Sequence, residues 1–158
     1  MPVNVAIIYY SIYGHAATLA ESIKEGVDSV PDVKATIYQV PETLSDEILT
    51  KMHAPPKRDY PIATGDPQGG RRTSLMGAGQ ETTQLMTMAF MVSHGMTFVP
   101  LGYRAKQLFD VDEVHGGSPW GAGTIAGPDN SRQVSKLEKE IAMEQGKSFA
   151  EVTKKLNA

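Results

Sequence analysis

The stretch Val3–Leu19, reading VNVAIIYYSIYGHAATL, limits the fold more than any other part of the chain. Val5-Ala6-Ile7-Ile8-Tyr9 is a short apolar run that stops at Ser11. A turn with Gly14 follows, and then Ala- and Leu-rich residues at helical spacing. Strand, tight loop and helix in that order make the first βα unit of an α/β domain. The loop Ser11–Thr18 combines hydroxyls, a glycine and the free amides of a helix start, a geometry suited to a phosphate.

Composition excludes several alternatives. A length of 158 residues suffices for one domain with its own core. A net charge of −3 gives no electrostatic basis for nucleic-acid binding. The absence of cysteine removes disulfides, thiolate metal sites and cysteine nucleophiles. The chain opens on a strand rather than a basic-apolar leader, and no apolar run approaches ~18 residues. A cytoplasmic protein is expected.

Beyond the first loop, Ala17, Leu19, Ala20, Ile23 and Val27 form a helical stripe, with Gly26 near its end and Pro31 stopping it. The alternating, β-branched run Val33–Val40 reads as a second strand closed by Pro41. Thr43–Met52 can form a short helix. The pattern then fails: 53–79 holds Pro55, Pro56, Pro61, Pro67, several glycines and Arg71-Arg72, with no strand of useful length. From Gln80, Leu85, Met86, Met88, Ala89, Met91 and Val92 give a largely apolar helix, whose wide apolar face implies burial on more than one side. Its methionines, with Met96, read as core filling. Met96–Leu101 reads as a third strand. The glycine-rich stretch Val114–Asp129 reads as a loop ordered mostly by Trp120 and by its neighbours. Ser135–Leu156 is an amphipathic final helix with a weak point at Gly146.

The first loop is neither a Walker loop, since no Gly-Lys-Ser/Thr follows, nor a Gly-x-Gly-x-x-Gly turn. A hydroxyl-rich loop without lysine suits a lone phosphate monoester such as that of flavin mononucleotide (FMN), bound by neutral donors and a helix N-terminus. The same residues also occur in βα turns that bind nothing. His15 is either a phosphate neighbour or an exposed helix-start residue. His94 is either a functional imidazole or a satisfied polar residue at a helix end. His53 and His115 lack metal-ligand spacing.

The chain resembles the WrbA-type NAD(P)H:quinone oxidoreductases, a flavodoxin-like family. The resemblance is carried by YYSIYGHAATLAESIKEG from Tyr9, VPETLSDEIL from Val40, Gly79-Gln80-Glu81-Thr82-Thr83, His94-Gly95-Met96, Val99-Pro100-Leu101-Gly102-Tyr103, Gly116-Gly117-Ser118-Pro119-Trp120-Gly121 and Ile125-Ala126-Gly127. It implies a single flavodoxin-like domain over 1–158, an α/β fold with a three-layer parallel sheet. It also implies that the family's third and fourth strands are missing, because an irregular replacement segment, 65–76, stands between Thr64 and Gly77 and looks like a splice junction or an alternative reading of the gene.

The resemblance further implies FMN as cofactor, NAD(P)H as electron donor, a quinone as substrate and a homo-oligomer. Ser11, Tyr13, Gly14, His15 and Ala16 match the family's phosphate loop, Gly79 and Gln80 the tail of a further flavin loop, and His94 a histidine near the flavin ring that can take part in proton transfer. Trp120 would either lie over the nicotinamide and quinone pocket of a neighbouring subunit or serve packing. The alternative is a shortened, non-catalytic isoform or gene model with weak or no flavin binding.

Overall fold

The computed structural model describes residues 2–63 and 80–157. The replacement segment 65–76, the Arg71-Arg72 pair and Gly79 lie outside the described residues. The elements are β1 (Val3–Tyr9), α1 (His15–Asp28), β2 (Val33–Gln39), α2 (Asp46–Lys51), α3 (Gln80–Ser93), a 3-10 turn at Lys106–Phe109 and α4 (Lys136–Leu156).

The fold is α/β, with β1 and β2 parallel and in register from Val3 opposite Val33 to Tyr9 opposite Gln39. This architecture is compatible with a flavodoxin-like fold. Alternation decides which face of the sheet is covered. Val5 and Tyr9 of β1 and Val33, Ala35 and Ile37 of β2 are buried, whereas Asn4, Ala6, Ile8, Lys34 and Thr36 are exposed. α1 packs on the buried face, and α4 packs on α1. Leu19, Ile23, Val27, Ile141, Ala142 and Ala150 fill the space between them. Each of the buried leucine, isoleucine and valine side chains contributes about 1.5–3 kcal/mol, and the alanines less.

Gly26 and Gly146 mark the place where α1 and α4 cross. A Cβ on Gly26 would stand 1.9 Å from the Met143 carbonyl oxygen, and one on Gly146 would stand 2.1 Å from that of Ile23. The two backbones meet where the sequence suggested a helix end and a weak point. The missing side chains are what let the helices touch.

Two sequence expectations give way. Met96–Leu101 is not a strand, and the described residues hold a two-stranded sheet. Strand propensity is realised only beside a neighbouring ladder, and 96–101 pairs with neither β1 nor β2. α3 forms as expected but contains no buried residue; Met86 is 72% exposed and Val92 74%. Its methionines therefore do not fill a core. The glycine-rich stretch is ordered by Trp120, which stacks on Phe98 at 6.0 Å, and by neighbouring side chains of α3 and α4. Gln80 Nε2 donates to the Thr124 carbonyl, the Gly117 amide donates to Gln80 Oε1, and the Ala122 amide donates to Gln145 Oε1.

Candidate functional site

The site is built on the junction between β1 and α1. The strand ends at Tyr9, and the backbone turns through Gly14 at φ +88°, a left-handed conformation that favours glycine. A Cβ there would meet nothing within 4 Å, so the constraint is conformational rather than steric. The Gly14 amide donates to Ser11 Oγ at 3.0 Å, and the Ser11 hydroxyl keeps its own proton to donate elsewhere.

α1 has no side-chain cap. Its first intrahelical bond runs from the Thr18 amide to the Gly14 carbonyl. The amides of His15, Ala16 and Ala17 therefore find no acceptor among the described residues. They lie in the turn directly after Gly14, whose amide meets Ser11 Oγ, at the positive end of a helix dipole, a donor set suited to an anion.

The loop is held at several points. Tyr13 Oη donates to the Met52 carbonyl at 3.2 Å, and Lys57 Nζ donates to the Ser11 carbonyl at 2.7 Å. Lys57 also pairs with Glu42 at 2.7 Å and lies 4.6 Å from the centre of the Tyr10 ring. Glu42 accepts from Tyr10 Oη and from the Leu44 amide. Burial would raise its carboxyl, but the hydrogen bond from Lys57, then those from Leu44 and Tyr10, bring it down to about 2. Lys57 was not among the residues drawn from the sequence. It supplies a cation behind the loop and lies in the proline-rich stretch where pattern reading found nothing.

His15 is buried, at 4% exposure, so it is not the exposed helix-start residue that the sequence left open. Its Nε2 lies 2.7 Å from the Arg132 carbonyl. A carbonyl only accepts, so Nε2 carries the proton. Ala16 is buried in the same turn and offers its backbone.

A cleft of about 340 Å³ opens beside Tyr10 and Ala16. It is lined by consecutive residues from Val5 to Tyr10 and by none of β2, so it runs along the edge of β1 that faces away from β2. Met91, Phe98 and Trp120 form part of its wall, and Gln84 and Gln145 supply polar groups. Gln84 Oε1 is buried and has no hydrogen-bond partner among the described residues. A buried acceptor left in this way costs free energy until a donor reaches it.

The sequence-derived residues separate into groups. Ser11, Gly14, His15 and Ala16 come together in the loop, and Tyr13 ties that loop to the end of α2. Gln80 stands at the start of α3 and clasps the glycine-rich stretch. Gly79 lies outside the described residues. His94 does not line the cleft. It ends α3, where Gly95 has φ +65° and the Met96 and Gly95 amides bond back to the Met91 and Val92 carbonyls in a Schellman motif. Its ring packs on Phe90 at 4.0 Å, and Nδ1 lies 3.0 Å from the Phe90 carbonyl.

Glu138 was also missed. Its side chain is fully buried. It accepts from the Ser135 and Gly116 amides at 2.9 Å, from Thr124 Oγ1 at 2.7 Å and from Arg132 Nη1 at 3.0 Å. Burial would raise its carboxyl, but these bonds outweigh that and hold it below the usual carboxylate range. The signal was readable in part: Ser135-x-x-Glu138 ahead of an apolar periodic run spells a capping box, and the structure forms one.

Among the described residues there is no cluster of histidine and carboxylate side chains fit to hold a metal, and no helix long and apolar enough to cross a membrane.

No family model matches the chain. Individual relatives do. An NAD(P)H quinone oxidoreductase, PST3, of Candida albicans is 44% identical over 200 aligned positions, covering 98% of this chain and 100% of the relative. The quinone-oxidoreductase QR2 of Triphysaria versicolor is 38% identical, covering 99% and 98%. The minor allergen Alt a 7 of Alternaria alternata is 36% identical, covering 98% of each. The alignment to PST3 spans 200 positions against the 158 residues here, so that relative carries positions without a counterpart in this chain. Identity at this level across nearly the whole length shows that the chain belongs to the WrbA-type NAD(P)H:quinone oxidoreductase family.

Proposed function

We propose that this protein is an FMN-dependent NAD(P)H:quinone oxidoreductase that reduces quinones by two electrons. The observation that carries the reading is the uncapped first turn of α1, which presents the amides of His15–Ala17 and the Ser11 hydroxyl together. A phosphate monoester fits this donor set. The unsatisfied Gln84 Oε1 fits a ring N–H in the adjoining cleft, and Trp120, Phe98 and Tyr10 fit a flat aromatic system there. When bound, the flavin supplies the hydride and electron chemistry.

The chain's own part is to bind and orient. Ser11 and the amides would hold the phosphate, Lys57 would add a favourable field from behind the loop, and the apolar cleft wall would exclude water. NAD(P)H as donor and a quinone as substrate are supported by what the PST3 and QR2 relatives are named. His94 stays the candidate for proton transfer on the strength of its motif. Self-association is supported by the exposed apolar side chains of α3, and a cytoplasmic setting by the lack of cysteine.

A second reading has its own observation. Among the described residues the sheet has two strands, and the cleft runs along β1 where a further strand would pair. A chain built this way would bind flavin weakly and lack turnover. The visible spectrum of the purified chain with added FMN separates the two. A stoichiometric yellow band with NAD(P)H-dependent reduction of a simple benzoquinone supports the enzyme. A protein that stays colourless sinks it in favour of the non-catalytic form.

A further inference from the structure

We propose that Arg132, held by the buried carboxylate of Glu138, is the positioning residue of the Ser11–Ala16 loop. Its backbone carbonyl fixes the His15 ring, and through it the first turn of α1. The inference rests on the reading of that loop as a phosphate site.

The path can be followed atom by atom. The Arg132 guanidinium donates through Nη1 to both Glu138 oxygens at 3.0 Å and to the Ile125 carbonyl at 2.7 Å, and through Nη2 to the Val114 carbonyl at 2.8 Å. The Arg132 amide donates to the Ala126 carbonyl at 3.2 Å. Side chain and backbone are thus fixed to the glycine-rich stretch on one side and to α4 on the other. The remaining strong group of this residue, its carbonyl, receives His15 Nε2 at 2.7 Å.

His15 is the first residue of α1, directly after the left-handed Gly14. No side chain caps that helix, so the bond from the His15 ring anchors its first turn to a distant part of the chain, 117 residues on. Since Nε2 is engaged by the carbonyl, the ring acts by holding the amides in place, not by donating to a phosphate through that nitrogen. Lysine cannot reproduce this arrangement, because only the planar fork of arginine reaches a carboxylate and two carbonyls at once. A structural role confined to α4 would need Glu138 and its capping box but not the contact between Arg132 and His15.

The test compares Arg132→Lys and His15→Asn with the wild-type chain, at a temperature where circular dichroism shows each folded. FMN and riboflavin differ by the phosphate alone. In both variants the preference for FMN over riboflavin should fall about tenfold, the loss expected for one or two misaligned hydrogen bonds, while riboflavin affinity stays within about twofold. General loosening of the cleft would weaken both ligands alike and would overturn the proposal.

Hydrogen exchange of the unliganded chain provides an arm independent of flavin. Exchange at the Thr18 and Leu19 amides should quicken about tenfold in Arg132→Lys, with the Gly26–Asp28 end of α1 unchanged. Unchanged exchange at Thr18 and Leu19 overturns the positioning role whatever the ligand does. A wild-type chain showing no preference for FMN over riboflavin contradicts the phosphate-site reading instead, and the exchange result then decides the positioning role alone.

Discussion

In the β1–α1–β2 unit and α4, apolar side chains face one another. In α3 and the segment up to Phe109, many of them face outward. Ile141, Ala142 and Val27 are completely buried, and two glycines let their helices touch. Leu85, Met86, Val92 and Met96, of similar hydrophobicity, are about half exposed or more. The two regions differ in partners, not in composition. The first holds both members of each packing pair, and the second holds one.

Removing the carboxylate that ties α4 to the glycine-rich stretch should have the largest effect. Glu138→Ala would strand the Arg132 guanidinium and leave the Ser135, Gly116 and Thr124 donors without their acceptor. Breaking a buried pair in this way costs about 3–5 kcal/mol. Urea unfolding should show a loss of that size, and a loss under about 1 kcal/mol would mean that the carboxylate joins nothing important. Gly146→Ala tests the first region by itself. The new Cβ meets backbone, which cannot rotate away, so the cost should sit at or above the upper end of the about 1–3 kcal/mol typical of overpacking. A melting temperature equal to that of the wild type would contradict the close approach of α1 and α4.

How much of this was legible in the sequence follows the same division. The first strand, its helix, the second strand and the last helix are periodic, and their buried faces meet in the fold, although the outer face of β1 leaves Ile8 43% exposed. The turn through Ser11 and Gly14 was legible as a turn because strand, loop and helix follow one another directly. α3 was legible as a helix and misjudged as a buried one, since an apolar stripe signals a need for cover and cannot supply it. Met96–Leu101 failed for the same reason: strand propensity is realised only beside another strand. The burial of His15 could not be read, because its acceptor lies on a residue far along the chain. Half of the Glu138 network could be read from the capping box, and the rest depends on loops brought in by tertiary packing.

A milder change probes the loop's support at low pH. The Glu42 carboxyl is depressed from 4.5 to about 2 in the folded protein. A depressed folded value means that the unfolded chain binds the proton more readily, so the stabilisation is present above about pH 4.5 and is lost as pH falls through about 2. Glu42→Gln should therefore lower stability at pH 7 by about 1 kcal/mol, a value reduced for the partial exposure of Glu42 and Lys57. The difference from wild type should shrink steadily below pH 4.5. A gap that stayed constant down to pH 2 would show that Glu42 contributes packing rather than charge.

The smallest effect is expected on α3, and its smallness is the informative part. Met86 is 72% exposed and touches no core. Met86→Lys should change stability by less than about 0.5 kcal/mol, as for other surface positions. If α3 covers a second copy of the chain, the same substitution should lower the mass seen by light scattering while the unfolding midpoint of the monomer is kept. If stability instead drops by more than about 2 kcal/mol, α3 belongs to a core after all. The contrast between the two regions would then have to be drawn elsewhere.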